Sequence, residues 1–442
     1  MKNISKILSI IFLIISILLF CYIFYRSQIL YSGTRADYYL KYYVIIFLFI
    51  IFSIISFFIP KRIKINITIV FASLLISLYF IEAYLNIKEK SIKFETYKKN
   101  TGKNFDKRTK FEVYKDLKKD DPDIVVTIYQ GQFRNDNKSD YFLLSGLANR
   151  RTIYCNENGY YSIYKSDRYG FNNPDTEWDK EEIDYLLIGD SFAQGACVNE
   201  PDTISGNLKR LRTNKNGILS LGQGGSGPLT EYATLREYLP EKKVKRILWL
   251  YYENDLHNLR VELKNKFLIK YLNDSNFSQN LISRQEEIEE ILLEELQKAI
   301  LIQKNKSDRQ FLTKVVKFVR LDLVRGLIFY KPTIASTKGF KNILKASNDF
   351  TKKNNSKLYF VYLPDYVRYI DRYEQGNLYN YRKVIQIVKD LNIPIIDMNE
   401  ELFYKHKDPL SLFPFRQSGH YNEKGYQLIT ETIVNKIKEL EK

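Results

Sequence analysis

Asp184-Tyr185-Leu186-Leu187-Ile188-Gly189-Asp190-Ser191-Phe192-Ala193-Gln194-Gly195 is a short apolar run that breaks into a glycine, an acid and a serine. The run has the length and residue types of a buried strand, and the residues after the break read as the start of a helix. A serine at such a junction faces helix-start N–H groups, which can stabilise negative charge developing beside its oxygen. Gly-x-Ser-x-Gly is absent, since Gly195 lies four residues after Ser191 rather than two, so this is not the nucleophile elbow of α/β-hydrolases. Taken alone, the stretch is equally an ordinary serine at a helix N-cap.

Downstream, Ile218 to Leu221, Ile247 to Tyr251, Leu358 to Leu363 and Ile393 to Ile396 are further short apolar runs separated by helical stretches. That alternation predicts a parallel α/β sheet with helices on both faces. Between the third and fourth runs, roughly 256 to 345, the chain carries a helical insertion. In it, Ile288, Ile291, Leu292, Leu296 and Ile300 mark one face of a helix over Glu286 to Gln303, a packing element or a lid. A last helix is expected from Glu423 to Leu440.

Each run leads into a polar segment. The second ends in Ser220-Leu221-Gly222-Gln223-Gly224-Gly225-Ser226-Gly227-Pro228, where glycines let backbone N–H groups approach a ligand. Gly222-x-Gly224-x-x-Gly227 has dinucleotide-fingerprint spacing, but Pro228 interrupts the helix start and only Glu253 stands where the ribose-binding acid is expected. No cofactor and no metal is therefore expected. The third run ends in Tyr252-Glu253-Asn254-Asp255, whose Asn amide can donate into a crevice at the strand ends. Finally, Ser418-Gly419-His420-Tyr421-Asn422 places one of three histidines on the loop before the last helix, which makes His420 the general-base candidate over His257 and His406.

In this order the four segments resemble the SGNH (GDSL-like) hydrolase family, named for the Ser, Gly, Asn and His of its blocks. The resemblance covers about residues 184 to 442. It implies a three-layer α/β/α, flavodoxin-like domain and a serine esterase in which Ser191 attacks an ester carbonyl and His420 is the base. The Ser191 N–H, the Gly225 N–H and the Asn254 amide would form the oxyanion hole, with Gly222 as substitute for Gly225. Two positions depart from the family pattern. Tyr252 stands where a glycine is usual, and Gln417 stands where an aspartate usually orients the histidine. Gln417 itself, a backbone carbonyl or Asp408 would have to do that work, or the enzyme is dead.

Toward the N-terminus lie 19 uncharged residues from Ile7 to Tyr25, another 19 from Tyr42 to Pro60, and 17 from Ile65 to Ile81 that can extend to Ile87 if Glu82 sits near an interface. About 20 apolar residues cross a ~30 Å hydrocarbon core, so residues 1–90 read as three transmembrane helices (about 7–25, 42–60 and 65–87). A cleaved signal peptide is rejected for want of a small-residue cleavage site. Lys2, Lys6, Lys61, Arg62 and Lys64 put the N-terminus in the cytoplasm and the C-terminal domain outside it, periplasmic in a bacterium, although Arg26, Arg35 and Lys41 lie in or beside the far-side loop.

Residues 91–180 read as a charged linker and a small β-rich segment, with strands at Ile124 to Tyr129, Tyr141 to Leu144 and Arg151 to Tyr154; Asn156-Glu157-Asn158-Gly159 is a turn signal and no chemistry is legible there. Cys155 and Cys197 either pair or are two unrelated thiols. The net charge is +17, from 68 Lys and Arg against 51 Asp and Glu; with no zinc-finger or RNP-like spacing, it points to an anionic membrane surface and not to nucleic acid.

With outward-facing placement, the resemblance extends to membrane-anchored O-acetyl esterases and acetyltransferases of envelope polysaccharide. It implies an acylated carbohydrate substrate, and a transferase of this kind would need a membrane acyltransferase partner. The contrasting reading is a catalytically impaired carbohydrate-binding or assembly protein, with Tyr366, Tyr369, Tyr373, Tyr379 and Tyr381 stacking on sugar rings or serving as surface filler.

Overall fold

The computed structural model describes residues 2–31, 33, 36–129, 141–329, 335–370 and 374–442. The chain forms two compact units, residues 1–87 with 317–328, and residues 88–316 with 329–442.

The first unit is built on α1 (Lys2–Phe24), α2 (Ala36–Ile55) and the first two-thirds of α3 (Lys61–Thr101), three helices long and apolar enough to cross a membrane. They begin earlier than the uncharged stretches suggest, because charge at a helix end does not stop the backbone ladder. Lys64 is buried, with its Nζ on Ser9 Oγ at 2.8 Å and the Ser5 carbonyl at 3.0 Å. Arg26 is likewise engaged, by the Tyr31 hydroxyl at 3.1 Å, and Lys41 lies 4.9 Å over the Tyr38 ring. Arg35 lies outside the described residues.

In the second unit, α4 (Lys110–Leu117) precedes a three-stranded sheet of β1 (Val125–Val126), β2 (Arg151–Ile153) and β3 (Ile163–Lys165). Tyr141 to Leu144, expected as a strand, is irregular. The Gln279 side-chain amide occupies both the N–H (2.7 Å) and the carbonyl (3.0 Å) of Phe142. Gln279 thus takes the place of a neighbouring strand at Phe142.

The main sheet consists of β4 (Glu182–Gly189), β5 (Gly217–Ser220), β6 (Lys243–Tyr252), β7 (Lys357–Leu363) and β8 (Ile395–Asp397). All pairs are parallel, in the order β5-β4-β6-β7-β8. β8 starts later than the apolar run Ile393 to Ile396 because Pro394 has no N–H to give the ladder; its carbonyl still accepts from Phe360 at 2.9 Å.

Alternation along the strands sorts the core into two faces. Val244, Ile247, Trp249 and Tyr251 of β6 pack with α7 (Pro228–Tyr238), α13 (Phe340–Lys353) and α14 (Glu374–Asp390) on one side. Leu248, Leu250 and Tyr252 pack with α6 (Ile204–Leu211) and α15 (Glu423–Leu440) on the other. This is the expected three-layer α/β/α domain with flavodoxin-like strand order. In such sheets ligands bind where the connections diverge, at the carboxyl ends of the first and third strands. Those strands are β4 and β6.

The insertion contributes α8 (Asp255–Glu262), α9 (Lys266–Asn273), α10 (Gln285–Asp308), α11 (Gln310–Val319) and α12 (Asp322–Phe329). Ile288, Leu292, Leu296 and Ala299 of α10 join the same hydrophobic cluster as Val125, Val126 and the sheet, so this helix is packing, not a lid. Of the small sheet, β1 is the strand that joins this cluster.

Candidate active site

β4 ends at Gly189, and the next residue, the buried Asp190, caps the one-turn helix α5 (Ser191–Gln194) by accepting the Phe192 N–H at 2.9 Å. Ser191 is thereby the first residue of a helix and has no intrahelical acceptor for its N–H. On the opposite wall, the loop before α15 is tied down residue by residue. The buried Tyr421 donates its hydroxyl to the Pro364 carbonyl at 2.7 Å, and Asn422 caps α15 through the Gly425 N–H at 2.9 Å. Directly before these anchors His420 projects back over Ser191. Its Nε2 lies 2.8 Å from Ser191 Oγ.

The other face of the imidazole meets a carboxylate from an unexpected place. Glu157 Oε1 and Oε2 each lie 3.1 Å from His420 Nδ1, and Oε2 also accepts the His420 backbone N–H at 2.6 Å. A carboxylate there can only accept, which puts the imidazole proton on Nδ1 and leaves Nε2 as acceptor for the serine hydroxyl. Neither expected orienter is involved. Asp408 pairs with Arg416, and the Gln417 side-chain amide donates to the Glu89 carbonyl at 3.3 Å. The acid comes from the turn after β2, in the segment where the sequence showed no chemistry.

That turn is held by a disulfide. Cys155 and Cys197 are joined, with their Cα atoms 4.8 Å apart, and the Asn158 amide donates to the Cys197 carbonyl at 3.1 Å. Cys155 lies two residues before Glu157 and Cys197 six after Ser191, so one covalent link fastens the turn of Glu157 to the segment just after the Ser191 helix. This pairing is the signal by which Glu157 was findable: an acid two residues from a cysteine whose partner comes shortly after Ser191.

The glycine loop closes the site from the β5 side. Gly222 is buried, its N–H is directed at Ser220 Oγ (3.4 Å), and a Cβ there would sit 2.3 Å from the Gln194 nitrogen; it serves close approach of loop and helix. Gly224 gives its N–H to Gln194 Oε1 at 2.7 Å. Gly225 is half-exposed, with φ of +89°, and none of the hydrogen bonds among the described residues takes its N–H. Gln194 was not singled out in the sequence, yet it is the hub behind this loop, also accepting the Tyr154 hydroxyl at 2.6 Å and donating to Tyr164 at 3.1 Å. From the third side, Asn254 comes directly after β6 and Glu253, and its side chain interacts with the Asp190 carboxylate.

Tyr252 packs beneath the site. Its ring stacks on Phe192 with centroids 4.0 Å apart, and Phe192 in turn lies 4.7 Å from the His420 ring. Burial pushes the Asp190 carboxyl above its ordinary range. For His420, burial disfavours the imidazolium, but the Glu157 charge and hydrogen bond outweigh it and leave the ring more basic than usual.

No family model matches the chain, and no curated protein does. Among solved structures, the lipase/acylhydrolase from Enterococcus faecalis is 12% identical, with TM-score 0.34 over 58% of this chain and 96% of that one. An acetyl xylan esterase, AlAXEase, is 14% identical, with TM-score 0.31 over 58% of this chain and all (100%) of that one. A protein of the G-D-S-L family from Desulfitobacterium hafniense DCB-2 is 15% identical, with TM-score 0.30 over 58% and 98%.

Three of the tyrosines near β7 have partners within the protein. Tyr369 stacks on Phe403 at 5.1 Å and donates to Asn399, Tyr366 donates to the Arg416 carbonyl, and Tyr381 to Asp397. Tyr379 is a residue of α14, and Tyr373 lies outside the described residues.

Proposed function

We propose that the chain is a serine-dependent carboxylic ester hydrolase anchored by α1–α3 as a multi-pass membrane protein, with its α/β unit outside the cytoplasm and O-acetyl esters of envelope carbohydrate as substrate. One observation carries the activity: Ser191 Oγ lies 2.8 Å from His420 Nε2, while Glu157 holds the other ring nitrogen. Ser191 Oγ attacks the ester carbonyl as His420 Nε2 takes its proton, and Glu157 stabilises the imidazolium that forms. The oxyanion is received by the Ser191 and Gly225 N–H groups and the Asn254 amide. His420 then gives the proton to the departing alcohol, leaving an acyl-serine. Water, deprotonated by the same nitrogen, attacks that ester, and His420 returns the proton to Ser191 Oγ as the acyl–oxygen bond breaks and the acid is released.

The carboxylate supplied by Glu157 supports the active reading over a catalytically impaired protein, whose ground was the missing acid before His420. The extracytoplasmic placement is supported by the disulfide, which persists in oxidising compartments. A fluorophosphonate probe tests the nucleophile. Wild-type protein should label and Ser191→Ala should not; labelling of both, or of neither, removes the hydrolase reading. Acetate release from O-acetylated glycan, compared with release from simple acetyl esters, tests the substrate class.

A further inference from the structure

Residues Lys317–Ile328 belong to the insertion in sequence but fold with the apolar helices of the first unit. The Tyr79 hydroxyl of α3 donates to the Val319 carbonyl at 2.9 Å, and its ring lies 5.4 Å from that of Phe318. One turn further on, the buried Glu82 accepts the N–H groups of Leu323 and Val324 at 3.1 and 2.9 Å, capping α12 at the end where a helix favours negative charge. The Arg325 guanidinium sits 5.7 Å over the ring of Tyr42, near the start of α2. At 1.5 Å per residue, Tyr79 and Glu82 stand ~27 and ~32 Å along α3 from Lys61, which is the thickness of a ~30 Å hydrocarbon core. On the reading that α3 crosses a bilayer from Lys61, the contacts fall at the face where α3 emerges and α2 begins.

α11 leads into this anchor. At 3.6 residues per turn, Phe311, Leu312, Val315, Val316, Phe318 and Val319 fall within an arc of ~160°, and Gln310, Thr313, Lys314 and Lys317 fill the remainder. No residue of the helix is buried; Phe311 is 80% and Val319 57% exposed. Arg309 and Arg320 flank it. An uncovered apolar stripe with a cationic rim, ending on a spanning helix at the bilayer face, fits one partner: the surface of a lipid leaflet with anionic headgroups.

We propose that residues 310–328 are an interfacial re-entry, in which α11 lies in the headgroup region with its apolar stripe at the acyl boundary and its lysines toward lipid phosphates, while α12 locks it to α3 and α2. This rests on the reading that α1–α3 cross the bilayer. The test uses the full chain carrying Cys21→Ser, with the native disulfide left oxidised, in nanodiscs of phosphatidylcholine and phosphatidylglycerol. Single cysteines at Val315, Leu312, Lys314 and, as a span control, Phe47 carry an NBD label.

Labels at Val315→Cys and Leu312→Cys should be quenched several-fold more by lipid bearing a doxyl group high on its acyl chain than by aqueous iodide. Lys314→Cys should show the reverse, and Phe47→Cys should respond to a deep doxyl group. If the Val315 and Leu312 labels are as open to iodide as Lys314 while Phe47 stays lipid-quenched, the interfacial proposal is overturned and the spans stand. If Phe47 also escapes lipid quenching, the spanning reading falls and the re-entry with it. Agreement between Val315 and Leu312 guards against disruption by one probe.

Discussion

Both carboxylate oxygens of Glu157 lie 3.1 Å from His420 Nδ1, although the two residues are separated by most of the α/β unit in sequence. The contact fixes tautomer, ring orientation and charge at once, so removing the charge while keeping the shape is the most informative change. Glu157→Gln should lower kcat for a p-nitrophenyl acetate reporter by roughly three to four orders of magnitude, as for other triads whose acid becomes an amide. Glu157→Asp should fall less far. Turnover of Glu157→Gln within a few-fold of wild type would show that the carboxylate does not serve the histidine.

The same pair sets a pH dependence. Burial disfavours the charged ring, but Glu157 and Asp190 outweigh it and hold His420 above the ordinary value of 6.5. Base catalysis needs the neutral ring, so kcat/KM should rise with pH through a limb whose midpoint lies above 6.5. For Glu157 burial acts to raise the pKa, but His420 outweighs it and keeps the carboxylate below its usual range, ionised throughout that limb. In Glu157→Gln burial and the smaller attraction of Asp190 remain while that of Glu157 is gone, so the midpoint should move to lower pH. An unmoved or upward-moving limb in a pH–rate profile would contradict this electrostatic account.

Opening the disulfide should cost both stability and activity. It spans a sequence separation of 42 residues, for which about 2–4 kcal/mol is typical. Cys155→Ser with Cys197→Ser should therefore lower Tm by several degrees. It should also reduce kcat more than KM, because the link positions Glu157 rather than touching substrate. Calorimetry and reporter kinetics on the same sample separate the two effects; equal turnover at a temperature where both proteins are folded would make the bond purely structural.

Gly225→Ala distinguishes the two glycines proposed for the oxyanion hole. With φ at +89°, a Cβ forces a left-handed conformation costing about 1–2 kcal/mol or re-aims the free N–H. Loss of one oxyanion donor typically costs about a hundred- to a thousand-fold in kcat. The variant should bind the fluorophosphonate slowly but keep its fold by circular dichroism. Unchanged labelling kinetics would shift the role away from Gly225.

What the sequence determined by itself is whatever rests on local pattern. Five apolar runs with helices between them dictate a parallel sheet. A strand that breaks into Gly189-Asp190-Ser191 puts a hydroxyl on a helix start, and uncharged stretches near the N-terminus dictate helices that can span a bilayer. Each is set by neighbours in the chain, through backbone hydrogen bonding and burial. Partners chosen across long separations were decided only by the tertiary structure. Glu157 became the histidine's acid because the Cys155–Cys197 bond and the packing of the small sheet carry an otherwise ordinary turn to the sheet's edge. Glu82 and Tyr79 found the insertion's backbone only where the chain returns to the apolar helices. A carboxylate records its charge in the sequence but not its address, and the address is set by which surfaces are buried together.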